Sequence, residues 1–254
     1  MKKPILLYIL IGFLVSIHSH SSVFAQTTPI ELATGDYPPF TSQKSPENGV
    51  FSEIVSAAFK ELEIEVKYTF FPWKRGELYT QVGKVFATFP YARTKEREKN
   101  FDFSDAVMSS KVVFFYYKPH QQNKINYEKL EDLKLYTIGG IRGHWYEPVF
   151  QSAGLEVHYV TSEKQSIGML KMAHVDLAPI NELVGWEIIK NQFPDQINSF
   201  ATFTKPLKQN TLHLMISRKY PGYKELTQKF NGALIKIRNK GIYQQLLAKD
   251  GIRK

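Results

Sequence analysis

Arg97 stands on a short turn between two extended runs, and a guanidinium held in that way can grip a carboxylate. The run before it, Val85 to Pro90, is apolar and reads as a buried strand. Thr94 can cap a single helical turn over Lys95 to Lys99, and Phe101-Asp102-Phe103-Ser104-Asp105 follows as a second extended run. The planar fork of an arginine makes two charge-assisted hydrogen bonds to a carboxylate, and the free N–H groups of such a turn can add others. The charged run RTKEREK also has a plainer reading, a solvated arginine among surface charges.

Other groups stand where strands end. Residues 30–40 alternate into a strand and finish in a turn with two prolines, which puts Tyr37 just past the strand, where open α/β sheets place ligands. Trp73 follows a strand over Glu65 to Phe71 and precedes a helix over Lys74 to Val82. It can wall a pocket opposite Tyr37 or plug its own loop. Gly140 to Tyr146 is a glycine loop entering a helix that stops at Gly154, and such a helix start offers bare N–H groups and partial positive charge to an anion. Within it His144 reads as a ligand contact, a pH-sensitive gate or a surface histidine. Asn181 ends a strand over His174 to Ile180 and is a good N-cap for a helix from Glu182 to Gln192. The seven histidines show no metal-ligand spacing and the chain has no cysteine, so neither metal nor cofactor is expected.

Taken in order, these segments carry a resemblance. The Thr94-x-x-Arg97 turn followed by Phe103-Ser104-Asp105 resembles the ligand-gripping segment of the periplasmic solute-binding proteins of the polar amino-acid family, family 3. The likeness runs from about Leu32 to about Leu247 and takes in Gly35-x-Tyr37-Pro38-Pro39-Phe40, the glycine loop at Gly143 and the Asp176 run. It implies that Arg97 clamps a ligand carboxylate, helped by backbone donors near Ala92 and Gly143, and that Tyr37 stacks on the ligand with Trp73 as a further apolar wall. Two departures stand out. Where the family has Gly-Thr or Gly-Ser, this chain has Gly143-His144, which keeps the backbone donors and replaces a hydroxyl with an imidazole. Where the family commonly has an aspartate that pairs with the ligand's ammonium, it has Asn181, followed by Glu182. An amide carbonyl accepts a hydrogen bond from an ammonium but brings no charge, so selection for a zwitterion is weakened.

The elements needed to hold these residues are legible as alternating strands and helices. Ser52 is expected to cap an amphipathic helix with Val55, Ala58, Phe59 and Leu62 inward, and Ser162-Glu163-Lys164-Gln165 reads as a capping box. Lys111 to Tyr117 is a buried strand, His120 to Asn123 a polar break, Thr211 to Ile216 another strand, and Tyr223 to Lys240 a long helix stopped by Gly241. Strand–helix–strand alternation begins a parallel sheet with right-handed crossovers.

The expected architecture is α/β, with the two-lobe periplasmic-binding-protein-like fold (type II) that the resemblance implies. Its ligand cleft lies between lobes joined by crossovers near residues 118 and 208. Lobe 1 takes residues 26–118 and 208–254, and lobe 2 takes 119–207.

At the N-terminus, Lys2 and Lys3, an apolar run from Ile5 to Ile17 and Val23-Phe24-Ala25 compose a secretory signal peptide over residues 1–25. That apolar run is shorter than the roughly 20 residues a spanning helix needs. Without cysteine there is no lipid-attachment site and no disulfide, so a soluble periplasmic monomer stabilised by its core is expected. Removing residues 1–25 takes away two lysines and no acids and leaves a net charge of +7 from +9. The basic residues are interleaved with acids and form no stripe with stacking aromatics, which argues against nucleic acid as a partner. The expected function is capture of a small carboxylate-bearing or amino-acid-like solute, and the resemblance implies delivery to an inner-membrane permease with its ATPase. A dehydratase-like enzyme, drawing its proton donor from Glu182 or His144, and a ligand-sensing accessory protein are the alternatives.

Overall fold

The structure, a computed structural model, describes residues 29–120 and 127–249. The expected secretory leader over residues 1–25, the expected mature start at Gln26 and, beyond His120, the expected polar break at residues 120–123 lie outside the described residues. The chain opens with β1 (Ile30–Thr34), α1 (Val50–Lys60), β2 (Val66–Phe70), α2 (Trp73–Gln81) and β3 (Ala87–Ala92). A 3₁₀ turn over Arg97–Lys99, β4 (Phe101–Phe103) and the long β5 (Met108–Tyr117) follow. Next come β6 (Thr137–Ile141), α3 (Glu147–Ser152), β7 (Glu156–Val160), α4 (Glu163–Lys171), β8 (Ala178–Asn181), α5 (Glu182–Gln192) and β9 (Phe200–Thr202). The chain then returns through β10 (Lys208–Ser217), α6 (Tyr223–Asn239) and α7 (Ile242–Lys249).

The main sheet has the order β2-β1-β3-β10-β5-β8, with β4 on β10 and β9 on β5, while β6 and β7 form a separate parallel pair. β1 lies parallel to both β2 and β3, and β10 runs antiparallel to β3 and β5. Leu32, Ala33 and Thr34 are buried together, as befits a parallel strand covered on both faces. One cover is the pair α1 and α6, where Phe59 packs 5.2 Å from Phe230 with Ala233, Leu234 and Ile237 alongside. The other is α2, whose buried Gly76 sits against Ala33 and Thr88. Together these elements make one lobe.

The second lobe is built around the far half of β5. Val112 to Phe115 pair with Asn181 to Ala178, and Phe115 to Tyr117 pair with Thr202 to Phe200. Phe114 faces Phe150, Tyr127 and Phe203 on one side. On the other side α5 packs on Phe115, and Gly185 is required there because a Cβ would stand 2.3 Å from that ring. β5 and β10 pass between the lobes side by side, paired from Met108–Leu212 to Val112–Lys208.

The start of α1 differs from expectation. Gly49, at φ 91°, is the residue before its first turn, and Ser52 lies buried inside that turn with its hydroxyl unpartnered. The loop before the helix takes over the capping role: Val50 N donates to Pro39 O at 3.1 Å and Phe51 N to Phe40 O at 2.9 Å. Only glycine fits at 49, since a Cβ would meet Phe40 O at 2.7 Å. At α4, Ser162 Oγ accepts from Gln165 N at 3.3 Å, but the Gln165 side chain reaches back to Thr161 rather than to Ser162. The box is displaced by one residue. Among the described residues no helix is long and apolar enough to cross a membrane.

Candidate functional site

The C-terminal ends of parallel strands converge on a cleft of about 500 Å³ between the lobes. Tyr37, Trp73, Lys74, Glu77, Pro90, Tyr91, Ala92 and Arg97 line it from the first lobe, and His144 and Glu163 from the second. Tyr37 stands three residues beyond β1, Trp73 three beyond β2, His144 three beyond β6 and Glu163 three beyond β7. Of the residues expected at the site, the structure thus brings Tyr37, Trp73, Ala92, Arg97 and His144 together. Gly143 and Asn181 do not line this cavity.

Arg97 is held on its turn as its sequence suggests, with its own N–H on Thr94 Oγ1 at 3.3 Å. Its side chain is half-buried, donates from Nη1 to Ala92 O at 2.8 Å and lies over the Tyr91 ring at 4.7 Å. No acidic side chain among the described residues pairs with it. Its remaining N–H groups are therefore oriented and unclaimed, the arrangement a carboxylate clamp needs. Ala92 meets the site through its carbonyl, which fixes the guanidinium.

The aromatic wall is equally fixed. Trp73 lies across the backbone of Gly35, where a Cβ would stand 2.6 Å from the indole, and meets Tyr91 edge-on at 5.8 Å. Tyr37 stacks on Phe40 at 5.6 Å. Burial, with a smaller push from Glu163, raises the Tyr37 hydroxyl to about 12. Tyr91 also rises to about 12 through burial and Glu77, against an opposing pull from Arg97. Both rings are neutral walls carrying a hydroxyl.

The second lobe presents titratable groups. His144 packs 4.5 Å from Tyr146, and its buried Nδ1 has no hydrogen-bond partner. Burial lowers its pKa, Glu163 works against that shift and Lys208 adds to it. The neighbouring glycine is used by the chain itself: Gly143, at φ 75°, donates its N–H to Glu147 Oε2 at 2.7 Å. The carboxylate of α3 thus takes the donor expected to serve a ligand. Asn181 is similarly engaged. Its carbonyl accepts from Leu183 N and Val184 N at 3.1 and 3.4 Å, and its Nδ2 donates to Ser110 Oγ at 2.7 Å. It ties the start of α5 to the crossing strand β5, and Glu182 beside it is not among the lining residues either.

Sequence reasoning passed over Lys74, Glu77, Pro90, Tyr91 and Glu163. Position just past a strand end, which marked Tyr37 and Trp73, applies equally to Lys74 and Glu163, whereas Glu77 lies within α2 and Pro90 and Tyr91 within β3. No group of three or more His, Asp or Glu side chains among the described residues is placed to hold a metal ion.

A second concavity, of about 370 Å³, lies between β4 and α6 and sharpens the contrast. Apart from Lys224 its charges are paired within the protein: Arg218 binds Asp102 at 2.7 Å and the carbonyls of Glu98, Lys99 and Phe101 at 2.8–3.0 Å, and Arg93 pairs with Glu98. In the cleft, Arg97, Lys74, Glu77 and Glu163 have no ion-pair partner among the described residues. The cleft thus holds charges of both signs in reserve.

Comparison with known proteins bears on the family and the fold. The family model for bacterial extracellular solute-binding proteins, family 3, matches residues 31–249. A search of curated proteins finds no match. Among solved structures, an ancestral arginine-binding protein bound to arginine is 23% identical with TM-score 0.64, covering 87% of this chain and 97% of its own. The ancestral amino acid-binding protein AncCDT-1, described as a precursor of cyclohexadienyl dehydratase, is 21% identical with TM-score 0.63, covering 87% and 94%. A histidine kinase sensor domain similar to periplasmic binding proteins is 17% identical with TM-score 0.65, covering 87% and 95%. At these identities the structures speak for the two-lobe fold alone.

Proposed function

The chain belongs to the bacterial extracellular solute-binding proteins of family 3, and we propose that it captures a small carboxylate-bearing or amino-acid-like solute in its inter-lobe cleft. The observation that carries this reading is Arg97: a guanidinium braced by Ala92 O and Tyr91, without an acidic partner, facing a cleft of about 500 Å³. That volume suits a small ligand, and the Tyr37, Trp73 and Tyr91 rings supply apolar walls with few polar groups between them. The ligand carboxylate would take the free edge of Arg97. Rotation about the paired stretch Met108–Val112 and Lys208–Leu212 would bring His144 and Glu163 down onto it.

In this reading the protein acts in the periplasm after removal of its leader and hands its solute to a permease driven by an ATPase. The similarity to a histidine kinase sensor domain favours a second role for the same site, ligand-dependent signalling to a membrane partner. Neighbouring genes for a permease and ATPase support the first role, and a neighbouring sensor kinase the second. A dehydratase-like activity would have to draw its proton donor from His144 or Glu163, because Glu182 lies outside the cavity lining.

The test of capture is Arg97→Ala. The substitution should abolish binding of carboxylate ligands and leave the unliganded melting midpoint unchanged, because the residue sits on a surface turn. Unchanged affinity would remove Arg97 from the site.

A further inference from the structure

The charges of the cleft are divided unevenly between the lobes. Arg97, Lys74 and Glu77 belong to the first lobe, whereas Glu163 is the carboxylate among the lining residues that comes from the second. It opens α4, is half-buried, and its side chain has no ion pair or hydrogen bond among the described residues. Its charge reaches over the cleft as well as along its own lobe. At Tyr37 on the opposite lobe and at Tyr146 beside it, it adds a smaller upward push to the effect of burial, and at His144 it opposes the lowering that burial causes. Asn181, another second-lobe residue expected at the site, has its amide committed to the α5 cap and to Ser110.

Resting on the reading of the cleft as a carboxylate site, we propose that Glu163 receives a ligand ammonium, so that the solute is a zwitterion bridging the two lobes. Its carboxylate lies on Arg97 and its amine on Glu163. Glu77 cannot play this part, because it shares a lobe with Arg97 and a contact there would not draw the lobes together. The arrangement also rejects wrong solutes. A carboxylic acid without an amine would bring no counter-charge of its own to Glu163 as the cleft closes, and a charge that loses its water without a partner is strongly unfavourable.

Thermal shift and calorimetry on the protein from Gln26 onward test this, using the twenty L-amino acids, the matching carboxylic acids that lack the α-amine (glutarate beside L-glutamate, for example), and agmatine. At least one L-amino acid should raise the melting midpoint while its deaminated counterpart raises it less. Glu163→Gln should weaken that amino acid at least tenfold, erase the preference over the deaminated acid and leave the unliganded midpoint in place. Glu163→Asp should keep part of the preference. Wild-type affinity in Glu163→Gln would overturn the proposal. So would deaminated acids binding the wild type as tightly as amino acids, or no stabilisation by any L-amino acid. Arg97→Ala separates the two readings. If carboxylates still bind that variant, the carboxylate site itself is wrong. If they are lost there while Glu163→Gln binds normally, only the ammonium assignment falls.

Discussion

The two walls of the cleft are built on different principles. The wall of the first lobe is pre-formed: Trp73 is pinned against Gly35, Tyr37 against Phe40, and Arg97 between Ala92 O and the Tyr91 ring. The wall of the second lobe is sparse. It offers the buried Nδ1 of His144 and the carboxylate of Glu163, neither with a hydrogen-bond partner among the described residues. A rigid aromatic surface loses little side-chain entropy when a ligand lands, so the first lobe is suited to initial capture. Unsatisfied polar groups gain most when a ligand arrives, so the second lobe is suited to closure and choice.

Substitutions and a titration probe that division, beginning with the largest effect. Trp73→Ala removes most of the pre-formed wall and should weaken binding by about 2 kcal/mol, roughly thirtyfold, as read by calorimetry. His144→Ala should cost much less, and equal losses would break the distinction between the walls. Gly35→Ala should mimic part of the Trp73 loss by pushing the indole away, since the added Cβ has no room.

Asn181→Ala should act on the fold instead. It leaves two N–H groups of α5 and the Ser110 hydroxyl without their partner, at about 1–2 kcal/mol of stability by chemical denaturation. Affinity should stay within about twofold, and a large loss would return Asn181 to the site.

Tyr91→Leu takes away the ring beneath Arg97 and should cost about 1 kcal/mol of binding, near fivefold, without altering which ligand is preferred. A change in preference would mean that Tyr91 chooses as well as braces.

The smallest effect is a pH dependence. Burial holds His144 below its ordinary value, so the unfolded chain takes the proton first as pH falls from about 6.5. The folded state then loses stability until the folded pKa is passed. The melting midpoint of the wild type should therefore decline faster below pH 6.5 than that of His144→Gln, with a shallow difference because the ring is partly exposed. Parallel curves would show that the imidazole is not desolvated.

Much of this was legible in the chain and some was not, for identifiable reasons. The Thr94–Arg97 turn, the strand ends that carry Tyr37 and Trp73, and the Asn181 cap are local features, and each formed as its sequence dictates. Glu163 was hidden because a first-turn glutamate after Ser162 reads as helix-capping chemistry whether the helix faces water or a cleft. The commitment of Gly143 N–H to Glu147 and of the Asn181 amide to Ser110 depends on side-chain directions that spacing does not fix. Ser52 looked like a cap because its type is right. The carbonyls of Pro39 and Phe40 start the helix earlier, through a loop closure that local pattern does not report.

The most direct measurement of the central claim is a thermal-shift screen of wild type and Arg97→Ala against amino acids and their deaminated and decarboxylated analogues. A ligand at a hundred times its dissociation constant adds about 2.7 kcal/mol to the folded state, which is readily seen. The account predicts that L-amino acids stabilise the wild type more than their deaminated counterparts, that decarboxylated analogues do not, and that Arg97→Ala melts normally but responds to none. Stabilisation of Arg97→Ala by the same carboxylates, to the same extent, would contradict it.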